Sequence, residues 1–224
     1  MLRKFQEFCK TMKTMKNKDD EYSIIIKDLK FIYSNYYLSS GMIKQCKFPN
    51  YNEESKLIGN EKYRVSRENY DDDFVHVGDE SKYFIELKDE SLISVRYLFD
   101  EEKNLVSFEL SFLPSFESNL LFKNKDDFSI LSKYIRIDYD NEGYKTMVHP
   151  KIHLHNNLER DGLRIPLNNI VYPSEFVYLI LRYYYDFDWT ILKKNLIYYQ
   201  DKKEFLTDEE KSLFFLKLNE NNQT

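Results

Sequence analysis

Tyr134-Ile135-Arg136-Ile137-Asp138-Tyr139-Asp140 alternates apolar and charged side chains along its whole length. Successive side chains of an extended chain point to opposite faces, so Arg136, Asp138 and Asp140 share one face and Ile135, Ile137 and Tyr139 the other. This is the pattern of a strand with one face in a core and one polar. Asn141-Glu142-Gly143 follows with turn-forming residues. The chain then returns antiparallel through residues 144–148 into Val148-His149-Pro150-Lys151-Ile152-His153-Leu154-His155. Here the period of two resumes, with His153 and His155 on one face and their Cα atoms about 6.5–7 Å apart. Three of the chain's four histidines lie in this run. If the polar faces of the two strands coincide, Arg136, Asp138, His153 and His155 converge, with His149, Lys151 and Arg164 nearby. Pro150 introduces a bend or bulge that leaves the register open.

Upstream, the same period covers residues 83–87, 92–97 and 106–112, separated by the polar turns at 88–91 and 100–104. That is the signature of an antiparallel meander. Residues 62–140 therefore read as period-two sequence, with an ambiguous stretch at 116–133. Before them, Phe5, Phe8, Cys9 and Met12 recur at helical spacing. Tyr22, Ile25, Ile26, Leu29, Ile32, Tyr33 and Tyr36 continue that spacing until Ser39-Ser40-Gly41. Residues 42–60 show no clear period, and Pro49-Asn50-Tyr51-Asn52 reads as an exposed loop. After the histidines, Pro173 opens a helix with the stripe Phe176, Leu179, Ile180 and Tyr183, its Glu175 and Arg182 suited to the helix dipole. Tyr183-Tyr184-Tyr185 and Trp189 are expected to pack this segment onto the sheet. Thr207-Asp208-Glu209-Glu210 matches a capping box opening a last helix that carries Leu213, Phe214 and Leu216. The expected architecture is α+β: one domain over 1–224, with a helical pair at 1–40, a central, mostly antiparallel sheet at 60–156 and helices at 173–219 flanking it.

Composition narrows the partners. With 33 Lys+Arg against 38 Asp+Glu, the formal net charge is -5, which excludes a protein basic all over that coats nucleic acid. The chain contains no alanine, beside much Lys, Asn, Ile, Tyr and Phe. That bias follows an AT-rich coding sequence, so its 19 Tyr and 17 Phe do not by themselves mark a platform for stacking bases. Cys9 and Cys46 have no framework or metal-pair spacing, as in a reduced compartment. No signal-peptide pattern opens the chain, and no run approaches the ~18 apolar residues of a membrane span. The expectation is a cytoplasmic protein with no membrane partner.

The Arg/Asp/His constellation admits three readings. A divalent metal ion could be held by His153, His155 and Asp138, with Glu159 or His149 as other third ligands, leaving a position open for water. Without a metal, His153, His155 and His149 supply acid and base while Arg136 or Arg164 holds a phosphate oxygen. In the third reading the histidines are structural and bond to Asp138 and the backbone. The spacing of His153, His155 and Glu159 is also similar to the first metal motif of cupins, without a second such motif downstream. His76 is isolated and reads as a strand histidine. Asp71-Asp72-Asp73 reads as a solvated turn, lacking a calcium loop's spacing. The absence of a phosphate-cradling Gly loop, nucleophile elbow, kinase signature or zinc-finger pattern argues against ATP-driven and Rossmann-type chemistry.

The order of these features resembles a bacterial family defined only as domain of unknown function 2290. It comprises a helical N-terminus, a tyrosine-bearing strand (Ser81-Lys82-Tyr83-Phe84), Arg136-Ile137-Asp138, then His149-Pro150-x-x-His153-x-His155, and a helix opening Pro173-Ser174-Glu175-Phe176. Tyr83 of that pattern joins Arg164 and Lys151 as a candidate substrate-binding side chain. More distantly, an Arg-x-Asp strand followed by clustered histidines is similar to TumE-type toxins of bacterial toxin–antitoxin pairs, which implies a nuclease-like or other growth-inhibiting activity. The expected function is a phosphoester-acting, nuclease-like enzyme on RNA or a nucleotide, in a toxin or phage-defence setting. The alternative is a non-catalytic interaction subunit of a defence or toxin–antitoxin complex.

Overall fold

The computed structural model describes residues 20–35, 41–59, 65–66, 69–79, 82–115, 133–145, 149–156, 164–186, 204–208 and 210–211. The elements in chain order are α1 (Glu21–Asn35), β1 (Ile43–Cys46), β2 (Tyr51–Asn52), β3 (Leu57–Gly59), α2 (Tyr70–Asp79), β4 (Ile85–Leu87), β5 (Leu92–Phe99), β6 (Leu105–Leu113), β7 (Ile135–Asp140), β8 (Ile152–Asn156), β9 (Arg164–Pro166) and α3 (Pro173–Tyr185). Among the described residues every strand pair is antiparallel, and the strands run in the order β1-β4-β5-β6-β7-β8-β9. The β2–β3 hairpin joins through β3 to β5, along the edge that β4 also uses. The class is α+β, as the alternating and helical periods predict. None of the described helices is long and apolar enough to cross a membrane.

Period-two alternation sorts the long strands into two faces. On the apolar face Val95, Tyr97, Phe108, Leu110, Phe112, Ile135, Ile137, Tyr139 and Ile152 are buried in the main core, together with Ile25 and Leu29 of α1 and Phe176, Ile180 and Tyr184 of α3. Burying such side chains contributes roughly 1.5–3 kcal/mol each. The two helices are locked together by a polar contact inside this core: the buried Asp28 carboxylate of α1 accepts a hydrogen bond from Ser174 N at the start of α3 (2.8 Å). One of α3's first-turn amides is thereby satisfied across chains of residues far apart in sequence. Tyr172 N donates to Glu175 Oε2 (2.9 Å), satisfying another amide at that end.

Four expectations change. First, residues 42–60 hold three short strands rather than loop, so the sheet runs from Ile43 to Pro166, beyond 60–156 in both directions. Gly59 permits this: its φ is +92°, and a Cβ there would strike the Val95 carbonyl across the pair. Second, the period-two stretch is interrupted by α2, which carries His76 and Asp71-Asp72-Asp73 on a helix instead of a strand and a turn. Three carboxylates in a first turn favour the helix dipole, and Asp73 Oδ2 accepts from Ser66 N (2.8 Å), which outweighs the strand-like Phe74-Val75-His76-Val77. Third, the buried face of α3 is Phe176, Val177, Ile180, Leu181 and Tyr184, while Leu179 and Tyr183 are 40% and 56% exposed. Fourth, only Ile85–Leu87 of residues 83–87 is strand. The Thr207 capping box is present, with Thr207 N donating to Glu210 Oε2 (2.9 Å) and Glu210 N to Thr207 Oγ1 (3.2 Å). The expected first helix at Phe5–Met12, the 116–132 stretch, Trp189 and the Leu213–Leu216 helix face lie outside the described residues.

Removing the interhelix cap should be felt globally. Asp28→Ala is expected to lower the free energy of unfolding by about 1–3 kcal/mol, the range for stranding a buried hydrogen-bond partner. Urea unfolding followed by far-UV circular dichroism checks this; an unchanged midpoint would show that the α1–α3 contact is not a stabilising one.

Candidate functional site

Pairing of β7 with β8 sets Arg136 opposite His155 and Asp138 opposite His153. Directly opposed residues of an antiparallel pair project to the same face, so all four side chains meet on the polar side. Pairing with β9 adds Arg164, opposite His155. The described return strand is β8, from Ile152; of the expected return through 144–148, residues 146–148 lie outside the described residues. Asp140 Oδ1 accepts from Glu142 N (3.1 Å) and Gly143 N (3.0 Å), and Lys145 and His149 form an isolated backbone bridge. His149 Nδ1 meets the Gly143 carbonyl oxygen. A Cβ at 143 would press on the Asp140 carboxylate and the His149 ring, so a larger residue there would force both side chains to shift.

Asp138 is the centre. Its Oδ2 accepts from Arg136 Nε (2.9 Å) and Nη2 (2.9 Å), and Arg136 Nε also reaches Oδ1 (3.0 Å). His155 Nε2 lies 3.2 Å and His153 Nε2 3.8 Å from the same Oδ2. Burial raises the Asp138 carboxyl, but the His155 hydrogen bond and the Arg136 guanidinium outweigh it and hold its pKa below the usual carboxylate range. Burial works against the Arg136 charge, yet Tyr134, Asp138 and Glu109 together raise its pKa further. The pair is an internal salt bridge on a half-covered surface, with Asp138 16% exposed.

The histidines differ. His153 is 1% exposed, and its Nδ1 donates to the Pro150 carbonyl (2.9 Å). A carbonyl can only accept, so the Nδ1 proton is fixed and Nε2 faces Asp138. Burial and then the neighbouring His155 push the His153 pKa down to about 4, which keeps it neutral near pH 7. His155 is 20% exposed and has no hydrogen-bond partner for Nδ1 among the described residues. The His149, His153 and His155 rings stand in a row, each 4.7 Å from the next, centre to centre. The Arg164 Nε is buried and has no hydrogen-bond partner among the described residues.

The structure therefore brings together Arg136, Asp138, His153, His155, Arg164 and, at one end, His149. Two expected members stand apart. Lys151 Nζ lies over the Tyr144 ring (5.0 Å). Tyr83 sits at the β1–β4 side of the sheet, its hydroxyl donating toward Glu86 Oε2 (3.2 Å) and Gln45 Oε1 (3.3 Å), with Lys47 Nζ over its ring (4.1 Å). Glu159 lies outside the described residues. Sequence reading missed Glu109 and Arg96, which continue the Asp138–His153 row across β6 and β5. Their signal was present in the alternation of Ser107, Glu109 and Ser111, but the strand order that lines them up was not. Chemically, Asp138, His153 and His155 each offer one ligand atom within 4.8 Å of the others; they can shuttle a proton, or hold a cation once His155 Nε2 gives up the proton it shares with Asp138, and the Arg164 guanidinium beside them can hold an anion.

Fold and site together define an α+β protein whose antiparallel sheet carries a His/Asp/Arg cluster on its polar face. The chain belongs to the family described as Uncharacterized conserved protein (DUF2290), which matches residues 38–218 and so includes every residue of the cluster. No curated protein and no solved structure matches the chain.

The neutral, buried His153 has a consequence for stability. Between about pH 4 and 6.5 the unfolded chain binds a proton at this histidine that the folded chain refuses, so stability falls as pH drops through that window. Asp138, held below its usual range, acts in the same direction at still lower pH. From pH 7 to pH 5, wild type should lose up to about 2 kcal/mol more than His153→Gln, measured by urea unfolding at both values. Equal losses would mean that His153 titrates as in a peptide.

Proposed function

We propose that this face is the active site of a phosphoester-acting, nuclease-like enzyme whose substrate is RNA or a nucleotide, working in the cytoplasm in a toxin or phage-defence setting. The observation that carries the reading is the convergence of Arg164, which has a buried Nε without a hydrogen-bond partner among the described residues, with the Asp138–His153–His155 centre on one side of the sheet. A phosphodiester needs two things from a protein: activation of the attacking oxygen, and positive charge where negative charge develops on the phosphoryl oxygens. His155 and Asp138 supply the first, at the exposed end of the histidine row. Arg164 supplies the second, with a planar guanidinium suited to phosphate, and Arg136, whose Nε and Nη2 are held by Asp138, adds its charge beside it. The net charge of -5 makes such a local cationic patch a recognition device and not a general coat for nucleic acid. The similarity to TumE-type toxins motivates growth inhibition as a readout.

The second reading, a non-catalytic interaction subunit of a defence or toxin–antitoxin complex, draws on a different observation. Leu179 and Tyr183 stand one turn apart on α3 and expose apolar surface, and Tyr33 on α1 is also exposed.

Induction of wild type in a bacterial host should arrest growth and degrade total RNA, with His155→Ala lowering cleavage by about 10²–10⁴-fold in a purified assay, the range for losing an acid–base group. Arg164→Ala should raise KM by about tenfold or more, with a smaller effect on kcat. Intact RNA and unimpaired growth with wild type, at matched folding, would remove the enzyme reading and favour the interaction subunit.

A further inference from the structure

We infer that Asp138, His153 and His155 form a binding site for one divalent transition ion of the zinc type. The inference rests on the same cluster as the proposed function and adds the cofactor that would give the centre its charge. His153 carries the argument. Its Nδ1 donates to the Pro150 carbonyl, so the other nitrogen, Nε2, presents a lone pair to the cluster from a side chain 1% exposed. Metal-binding histidines are oriented in this way, by a hydrogen bond from the ring nitrogen that does not bind the ion. At 3.8 Å the His153 Nε2 and Asp138 Oδ2 are too far apart for a hydrogen bond, which leaves a gap bordered by two atoms that can each donate an electron pair.

The spacing fits such an ion. Donor atoms of a tetrahedral shell with bonds of about 2.0–2.2 Å stand about 3.4 Å apart. Here His155 Nε2 and His153 Nε2 lie 3.2 and 3.8 Å from Asp138 Oδ2, and the third pair lies within 4.8 Å. Two imidazoles and one carboxylate select zinc, cobalt or nickel over magnesium or calcium, which prefer oxygen ligands. Three protein ligands leave a position for water or a phosphoryl oxygen.

Arg136 sets the terms of binding. It contacts Asp138 through Nε and Nη2, so the guanidinium and the metal are alternative counter-charges for one carboxylate. Metal binding would release the guanidinium, which is partly exposed, toward the anion side of the cluster. The same competition predicts that removing the guanidinium favours the ion.

The test uses the full-length chain without an affinity tag, stripped with chelator, and titrates zinc chloride calorimetrically at pH 7.5 beside thermal melts with and without zinc. One stoichiometric site and a raised melting temperature are expected. His155→Gln, half-way out of the core, should fold normally and weaken zinc binding at least about tenfold. Arg136→Gln should bind as tightly as wild type or more tightly, and His76→Gln, on α2, should bind as wild type does. Absence of stoichiometric zinc binding, equal binding by wild type and His155→Gln, or magnesium binding in preference to zinc would overturn the site. Zinc binding without RNA cleavage would support the site and remove the enzyme reading. RNA cleavage in excess chelator by a protein that binds no zinc would overturn the site and leave that reading in place.

Discussion

The antiparallel register of β7 on β8, Asp138 opposite His153 and Arg136 opposite His155, is the constraint from which the rest of the site follows. Side chains alternate with a period of two, so slipping this pair by one residue would put the histidines on the opposite face from Arg136 and Asp138. The apolar side prevents it. Ile137 and Ile152 are buried in the main core, as is Tyr139, whose ring packs against those of Phe108 and Phe205. Hydrophobic burial on one face thus fixes polar chemistry on the other. The desolvation of Asp138 is offset by Arg136 and His155, whereas removing either partner would leave a half-buried carboxylate less compensated.

Neighbouring strands extend this order. Arg96 on β5 pairs with Glu109 on β6, Glu109 with Asp138, and Asp138 with His153, so charges line up across the sheet in one row. Ser111, Arg136, His155 and Arg164 make the adjoining row. At one end the same face turns apolar, where Leu92, Leu113 and Tyr134 pack with Tyr70 and Val77 of α2. Tyr70 is anchored there by donating to the Pro114 carbonyl (2.8 Å). The cluster therefore rests on strands with a packed core beneath and a small apolar cluster beside them, the kind of support that holds functional side chains to a fraction of an ångström.

Much of this was legible from residues alone, and the reasons for the exceptions are physical. Alternation in 134–140 and 152–155 was enough to place Arg136, Asp138, His153 and His155 on one face, because burial of the intervening Ile, Leu and Tyr side chains leaves no other choice. Arg164 was a candidate by proximity, but only the β8–β9 pairing puts it against His155. The row through Glu109 and Arg96 depends on strand order, which a local pattern does not carry. At α2, capping by Ser66–Asp73 and three first-turn carboxylates overrode a β-branched run. On α3 the residues at helical spacing were correctly apolar, but the buried stripe was rotated, since Asp28 and the main core fix which side of the helix faces inward. Tyr83 entered on pattern resemblance, and its contacts lie with β1 and β4.

The most direct test of the account is the protonation state of the His153 ring, read by long-range proton–nitrogen NMR on the labelled full-length chain. A neutral ring at pH 6 that carries its proton on Nδ1, with Nε2 bare, is what burial and the Pro150 carbonyl require. A ring charged at that pH, or one protonated on Nε2 alone, would contradict the arrangement around Asp138 and with it the reading of the face as a built site.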